Sequence, residues 1–441
     1  MANRAICLAG GGPAAGLHIG VLKGLQEGVP DKNGVTRTVT FKDQSDVWAL
    51  SCIGAWVGII YNQARENKEI EETTEFFLDV FRNDKSFKSF PANTVFTPDW
   101  AGNAEAMLEF LTEPQNYKNA FLPKEIIRSF RHTMSAMRRM STPAWRRHGD
   151  DQHQRYEVEF NEFSEGDFNR WTLNDVLAVN PAVRFLTALI YKSNITGLSR
   201  LFYEDSRFLK QIKFENVFKT DKPFIYYNAW NLTQQKLQLF ANKPQKPLHI
   251  DAPIVIEGYK PIDAASLCAC SALPYIEQTV TIGGDVYCEG ALIDTVNLEN
   301  LLTDHPDLQE IWISRIVDAN QVLPPRNLHD ALANLCELFC ATVGEANIEI
   351  FKCHLQQKGK NIKIIEIPVD CTINFEWSHS NLRHGIESGM KAAKRALAAY
   401  VGNPTAPHIR PEDSQEEIKA RQQRRRELAA QRLVESGRSE E

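Results

Sequence analysis

Three short stretches of this chain could together perform nucleophilic chemistry. Gly10-Gly11-Gly12 follows the apolar run Ala5-Ile6-Cys7-Leu8-Ala9, and a helix-like stretch, Leu17-His18-Ile19-Gly20-Val21-Leu22, begins almost at once. A strand, a glycine-rich bend and a helix start gather bare backbone N–H groups at one point, where they can hold an anion or a developing oxyanion. The second stretch is Leu50-Ser51-Cys52-Ile53-Gly54-Ala55. A nucleophile elbow has the form G-x-S-x-G and holds its side chain on a sharp turn between a strand and a helix. Gly54 sets that register and puts Cys52 at the nucleophile position. Ser51 is the rival, but it would end the strand and point away from Cys52 by two-residue alternation. A helix N-terminus favours thiolate and lowers a pKa that starts near about 8.5. Burial in a tight turn is the ordinary fate of a free cysteine and the competing reading. The third stretch, Tyr287-Cys288-Glu289-Gly290-Ala291, reads as a short strand that aims a carboxylate into a cleft as a general base.

The elements that must position these groups follow from the pattern around them. Residues up to about 64 read strand, glycine loop, helix, a turn-rich excursion through Asn33-Gly34, then a second strand, Asp46 to Ser51, and an apolar helix from Ile53 to Tyr61. Such alternation predicts a parallel α/β sheet covered on both faces. It resumes over 224–402, with Phe224–Trp230, Ile311–Ser314 and Ile362–Ile367 as strands and a last helix over 381–401. Residues 65–223 are charged, aromatic-rich and helix-patterned, which predicts a helical insertion or cap. Residues 403–441, with Arg424-Arg425-Arg426, predict a charged helical or disordered tail.

Composition narrows the setting. A 441-residue chain with 43% hydrophobic and 24% charged residues can bury a large core, and its net charge of -6 gives no reason to expect nucleic acid as a partner. Nine cysteines without a CxxC pair fit neither a secreted disulfide framework nor a zinc site, and the histidines form no metal-spaced pair. No metal or cofactor is therefore expected. With no signal-like leader and no apolar run of membrane-spanning length, the expectation is a cytoplasmic chain. Gly10-x-Gly12-x-x-Ala15 fits a dinucleotide fingerprint only loosely, and the acidic residue such a site needs about 20 positions on has no clean candidate between Asp31 and Asp43.

Taken together, the three stretches resemble the patatin-like phospholipase family, in which G-G-G-x-R/K-G forms an oxyanion hole, G-x-S-x-G carries the nucleophile and D-G-A/G supplies the dyad aspartate. His18–Leu25 looks like the family's first helix, Ala264–Pro274 like its small-residue helix and Gly385–Tyr400 like its closing helix. The resemblance implies a patatin-like three-layer α/β fold with a mainly parallel central sheet, a core formed by 1–64 and 224–402, and a largely helical insertion. It implies Cys52 as nucleophile, Glu289 as base, and an oxyanion hole from Gly10, Gly11, Gly12 and Ile53. It departs from the family at each functional position: Cys52 for serine, Glu289 for aspartate, Ala14 for the basic loop residue, and Leu50 for the elbow's first glycine. The implied activity is cleavage or transfer of a lipid-like or activated acyl group, an ester or thioester, through an acyl-cysteine. The alternative is an inactive patatin-like protein that binds lipid or a protein partner through the old cleft.

Arg128 to His148 interleaves six arginines with Met134, Met137, Met140 and Trp145, and Ile127, Phe130, Met134 and Met137 recur at helical spacing. A basic amphipathic helix of this kind either lies on an anionic membrane surface or packs its apolar stripe on the core. His18 is expected to be a core residue beneath the glycine loop.

Overall fold

The computed structural model describes residues 3–80, 97–98, 100–115, 196–202, 206, 208–243, 259–298, 300–315, 317–318, 322, 324–325, 328–369 and 377–411, with scattered positions between 419 and 430. The chain divides into two units, Met1–Pro98 with Gly197–Glu441, and Asp99–Thr196. In the second unit the helix Trp100–Thr112 is described. The basic segment Arg128–His148 lies outside the described residues.

In the first unit the strands used below are β1 (Asn3–Leu8), β2 (Val47–Leu50), β3 (Gly197–Arg200), β4 (Phe224–Asn231), β5 (Lys236–Ala241), β6 (Tyr259–Pro261), β7 (Tyr275–Glu277), β8 (Val280–Ile282), β9 (Asp285–Glu289), β10 (Leu308–Arg315), β11 (Lys363–Pro368) and β12 (His408–Ile409). The helices used below are α1 (Ala15–Glu27), α2 (Ile53–Gln63), α3 (Glu69–Val80), α4 (Ala264–Cys270), α5 (Leu328–Gln357) and α6 (His379–Gly402). The main sheet runs β8-β9-β4-β2-β1-β10-β11-β12, with β5 on β4 and β6 on β5. From β4 through β12 every pairing is parallel, whereas β5, β8 and β9 join antiparallel. A smaller sheet pairs β7 with β3 and the two-residue strand Thr97–Pro98.

Alternation along the central strands explains the layers. Ala5, Cys7, Ile311 and Ile313 face one side, with Ile348, Phe351 and Leu355 of α5; Ile6, Leu8 and Trp312 face the other, among residues of α1, α2 and α6. Both faces are buried, so these strands read as continuous apolar runs and require a helical layer on each side. The three-layer α/β fold with a mainly parallel sheet is thus the observed one. Beyond Gly402, in the stretch expected to be tail, His408–Ile409 pairs with β11 as a short edge strand. Glu69–Val80, expected within the insertion, packs as α3 against α1 and α2.

β1 is the topological switch point, since β2 lies on one side of it and β10 on the other. Loops leaving the carboxyl ends of such strands open a crevice, the usual ligand position in doubly wound sheets. The register Leu8↔Leu50 releases the glycine loop and the Ser51-Cys52 turn side by side. Ser51 N–H donates to Leu8 O at 3.1 Å, which fixes the two exits against each other.

α1 and α6 cross at backbone contact. A β-carbon at Gly20 would lie 2.1 Å from Ile386 O, and one at Gly389 2.1 Å from Leu17 O. Neither position can carry a side chain without forcing the helices apart. Gly344, in α5, is also buried, but an added β-carbon there meets its nearest atom at an ordinary 3.6 Å. Gly20→Ala is therefore expected to lower unfolding free energy by about 1–3 kcal/mol in a denaturant titration, because overpacking outweighs the gain in helix propensity. Gly344→Ala is expected to be neutral or to stabilise by up to about 1 kcal/mol. Equal effects at the two positions would contradict the packing argument.

Candidate active site

Cys52 occupies the turn between β2 and α2 with φ 48° and ψ -123°, outside the regions that L-residues favour. Such strain costs about 1–3 kcal/mol and persists only where the surroundings enforce it. They do so here through close approach. A β-carbon at Gly54 would sit 2.1 Å from Leu8 O, so α2 can descend onto β1 only with glycine at that position. Cys52 N–H is held by Cys270 Sγ at 3.1 Å, at the end of α4. Cys52 lines the cavity, while Ser51 is fully buried and gives its hydroxyl proton to Asn228 Oδ1 at 2.9 Å. Ser51 thus braces the strand ends and does not compete for the cleft.

Glu289 ends β9, where its N–H donates to Ala272 O at 3.0 Å. Gly290 follows against Asn228, whose backbone and side chain would meet a β-carbon at 2.7 Å. The Glu289 carboxyl is buried beside the Cys52 thiol, and each group shifts the titration of the other. Burial pushes the carboxyl up to about 7, and the neighbouring thiol moderates that rise. Burial and the adjacent Glu289 push the thiol well above its ordinary range, with Cys270 and Cys340 adding to the effect. The expectation of a thiolate lowered by the helix dipole is therefore corrected: removal from water, with a carboxylate alongside, outweighs the half-charge at the N-terminus of α2. At rest Cys52 is thus held as a thiol beside the Glu289 carboxyl.

Of the loop donors, Gly10 N–H is already given to Thr295 O at 3.1 Å, so it has no hydrogen left to offer an oxyanion. Its glycine is needed for space: a β-carbon there would stand 2.9 Å from Ala291 Cβ and 3.1 Å from Cys52 Cβ. Gly11, Gly12 and Ile53 make no N–H hydrogen bond among the described residues, and all three border the same cavity as Cys52 and Glu289. His18 is fully buried, with Nε2 against Ala9 O and Nδ1 against Ser314 Oγ, each at 2.8 Å. The carbonyl can only accept, so Nε2 carries the proton and Nδ1 accepts from Ser314. Burial drives this histidine down to about 4, which leaves a neutral strut beneath the loop.

The cavity measures about 600 Å³ and is walled by Trp56, Phe77, Phe208, Leu273, Ile276, Leu292, Leu332 and Trp377 among others. That is room for a chain of many methylenes, and an apolar wall suits one. Among the described residues no group of three or more His, Cys, Asp or Glu side chains is placed to hold a metal ion, and no helix is long and apolar enough to cross a membrane.

A family model, the patatin-like phospholipases, matches residues 6–302, a span that holds the glycine loop, Cys52 and Glu289. The chain belongs to the patatin-like phospholipase family. Membership points to lipid acyl hydrolysis as the general activity. A fold comparison pairs the chain with the crystal structure of VipD from Legionella pneumophila at 13% identity and a TM-score of 0.33, over 98% of this chain and 76% of that one. A comparison with curated proteins returns no match.

Two departures from the patatin pattern acquire a physical account. Leu50 replaces the elbow's first glycine, and α2 answers it with Gly58, where a β-carbon would fall 2.5 Å from Leu50 Cδ1. Ala14, which replaces the loop's basic residue, is buried as the N-cap of α1 and brings no charge. Sequence reasoning did not single out Cys270, Cys340, Glu277 or the aromatic wall, because they come from separate segments that only the fold brings together.

The pair's electrostatics fix the sign of its pH dependence. Glu289 can accept the thiol proton only when ionised, and its carboxyl titrates near about 7, so alkylation or acylation of Cys52 should rise through that range as one ionisation. Stopped-flow or quenched labelling with an activated ester across pH checks this. A profile that starts to climb only in the range of an ordinary free thiol would contradict it.

Proposed function

We propose that this chain is an acyl hydrolase or acyltransferase that acts on a lipid-like ester or thioester through an acyl-cysteine on Cys52. The observation that carries the reading is the placement of the Cys52 thiol and the buried Glu289 carboxyl side by side, at a strained elbow on one apolar cavity. In the first half-reaction the Glu289 carboxylate takes the thiol proton as Sγ bonds to the carbonyl carbon. The carbonyl oxygen gains the charge, and the N–H groups of Gly11, Gly12 and Ile53 receive it; donors of this kind are each worth roughly 3 kcal/mol of transition-state energy. Collapse breaks the bond to the leaving group, which takes the proton from Glu289. In the second half-reaction Glu289 removes a proton from water or another acceptor, which attacks the thioester carbon, and Sγ leaves and recovers that proton.

The high thiol pKa fits this order of events. A standing thiolate beside a carboxylate, with no cation near among the described residues, would be repelled, whereas a proton passed in the attack step never leaves both groups charged. The acyl chain would lie along the Trp56, Phe208 and Trp377 wall. Residues 1–402 are proposed as one patatin-like domain whose insertion covers part of 65–223, with cytoplasmic residence and contact of Arg128–His148 with an anionic membrane surface as further parts of the reading. An inactive binding protein would retain the cavity but not the proton transfer.

Intact mass spectrometry after exposure to a fluorophosphonate or an activated acyl thioester tests the assignment. One adduct per chain is expected on the wild type, none on Cys52→Ala, and a rate lower by roughly 10²–10⁴-fold on Glu289→Gln. An adduct that persists on Cys52→Ala would falsify the nucleophile, and no adduct on a folded wild type would favour the binding protein.

A further inference from the structure

The cavity beside Cys52 has an electrical character that acyl-chain binding does not use. Its described wall carries three carboxylic side chains, Glu277, Glu289 and Glu337, and no lysine, arginine or histidine. Glu289 is spoken for by the thiol, and Glu337 sits half-buried on α5. Glu277 is different. It is 1% exposed, it lines the cavity, and neither of its carboxyl oxygens has a hydrogen-bond partner. The neighbouring Ser199 hydroxyl gives its proton to Ile276 O at 3.1 Å, and its side chain also lies close enough to Glu277 to draw its titration down.

Its position is built, not incidental. Glu277 N–H donates to Leu273 O at 2.8 Å and Glu289 N–H to Ala272 O at 3.0 Å, so two successive carbonyls anchor the two glutamates side by side. On the other flank Gly197 of β3 presses on the Glu277 backbone, where a β-carbon would come within 2.4 Å. These contacts fix the Glu277 backbone, and with it the wall from which the buried carboxyl enters the cavity. A buried carboxyl without a partner is costly, and burial together with Glu289 raises it to about 8. Aromatic faces of Trp56, Phe77, Phe208 and Trp377 complete the wall, and such faces attract cations.

We propose that Glu277 is the specificity residue of this cavity and takes a primary ammonium group, carried either by the acyl donor or by a free amine acceptor. This rests on reading the cavity as the acyl site. The N–H groups of an ammonium satisfy both orphaned oxygens, and its charge offsets the two adjacent carboxyls, while its hydrocarbon chain runs along the aromatic wall. A phosphate placed there would meet carboxyl groups and no described cation, so the cavity discriminates against an anionic headgroup. The loss of a basic residue at Ala14 acts in the same direction.

Titration of tryptophan fluorescence with n-octylammonium, n-octanol and n-octyl phosphate, at mildly alkaline pH and monomeric concentrations, tests this without requiring turnover. The wild type is expected to bind octylammonium about tenfold or more tighter than octanol, and octyl phosphate weakest. Glu277→Gln should bring octylammonium to the affinity of octanol. Octyl phosphate binding as tightly as octylammonium to the wild type would overturn the inference, as would a preference that survives in Glu277→Gln. Should that variant fail to fold, the wild-type order alone decides. The source of the ammonium is then read from products: N-octyl amide from a neutral thioester marks the acceptor, and faster cleavage of an ω-amino acyl thioester marks the donor. Because Cys52 acylation is measured separately, labelled Cys52 with no ammonium preference sinks this inference alone, and an unlabelled Cys52 sinks the enzymatic reading alone.

Discussion

Three backbone segments meet beside Cys52 with no room for another β-carbon at any of them. Gly10 lies against the β-carbons of Cys52 and Ala291, Gly54 against the carbonyl of Leu8, and Gly290 against Asn228. Each contact fixes one part of the site: the loop donors above the thiol, the helix N-terminus behind it, and the carboxylate beside it. Because packed interiors deform little, these approaches set the positions of Gly11, Gly12, Ile53, Cys52 and Glu289 together. A methyl group added at any one of them displaces the others.

Within that frame the controlling quantity is charge without a counter-charge. Glu289 and Glu277 are both buried, both raised, and neither owes any part of its titration to a cation. This arrangement keeps Cys52 as a thiol at rest and makes Glu289 a base close to neutrality. In an enzyme with a paired histidine the imidazolium would hold a thiolate ready; in the mechanism proposed here the negative charge leaves the carboxylate only as it appears on the substrate oxygen. In the proposed mechanism the nucleophile is therefore activated by the reaction coordinate and not by its resting environment.

The parts of this site that a reader can find in the sequence are those where one local turn does the work. Gly54 sets the register of Cys52, and Glu289-Gly290-Ala291 sets a strand end, because each motif spans a few residues whose backbone must bend one way. The layers were legible for the same reason: an apolar run such as Ala5 to Ala9 is buried on both faces wherever it sits in a parallel sheet. Glu277 was not legible, since an isolated glutamate after Tyr275-Ile276 becomes a buried acid only when Gly197 and the Ala272-Leu273 carbonyls close on it. The direction of the thiol pKa was misjudged on the same account. Helix position is visible in sequence, whereas the desolvation and the neighbouring Glu289 that overrule it are properties of the packed cleft. Gly10 was read as a donor from the triple glycine, and the bond to Thr295 that removes it comes from nearly 300 residues along the chain.

The substitution at Leu50 bears on what the altered dyad is for. A leucine where the elbow pattern has glycine would collide with α2, and it is accommodated because α2 presents Gly58 at the point of contact. The elbow thus keeps its sharp turn, and the close approach of α2 to β1 holds Cys52 at a strained φ of 48°. Relaxing that strain would release about 1–3 kcal/mol, and replacing Glu289 by an apolar residue would remove a buried carboxyl. Both costs are borne at the same point, and in the proposed reading they share one use: holding a transferable proton between sulfur and oxygen beneath N–H donors that no described residue takes. A cleft that served only to bind an acyl chain needs the aromatic wall and neither of these.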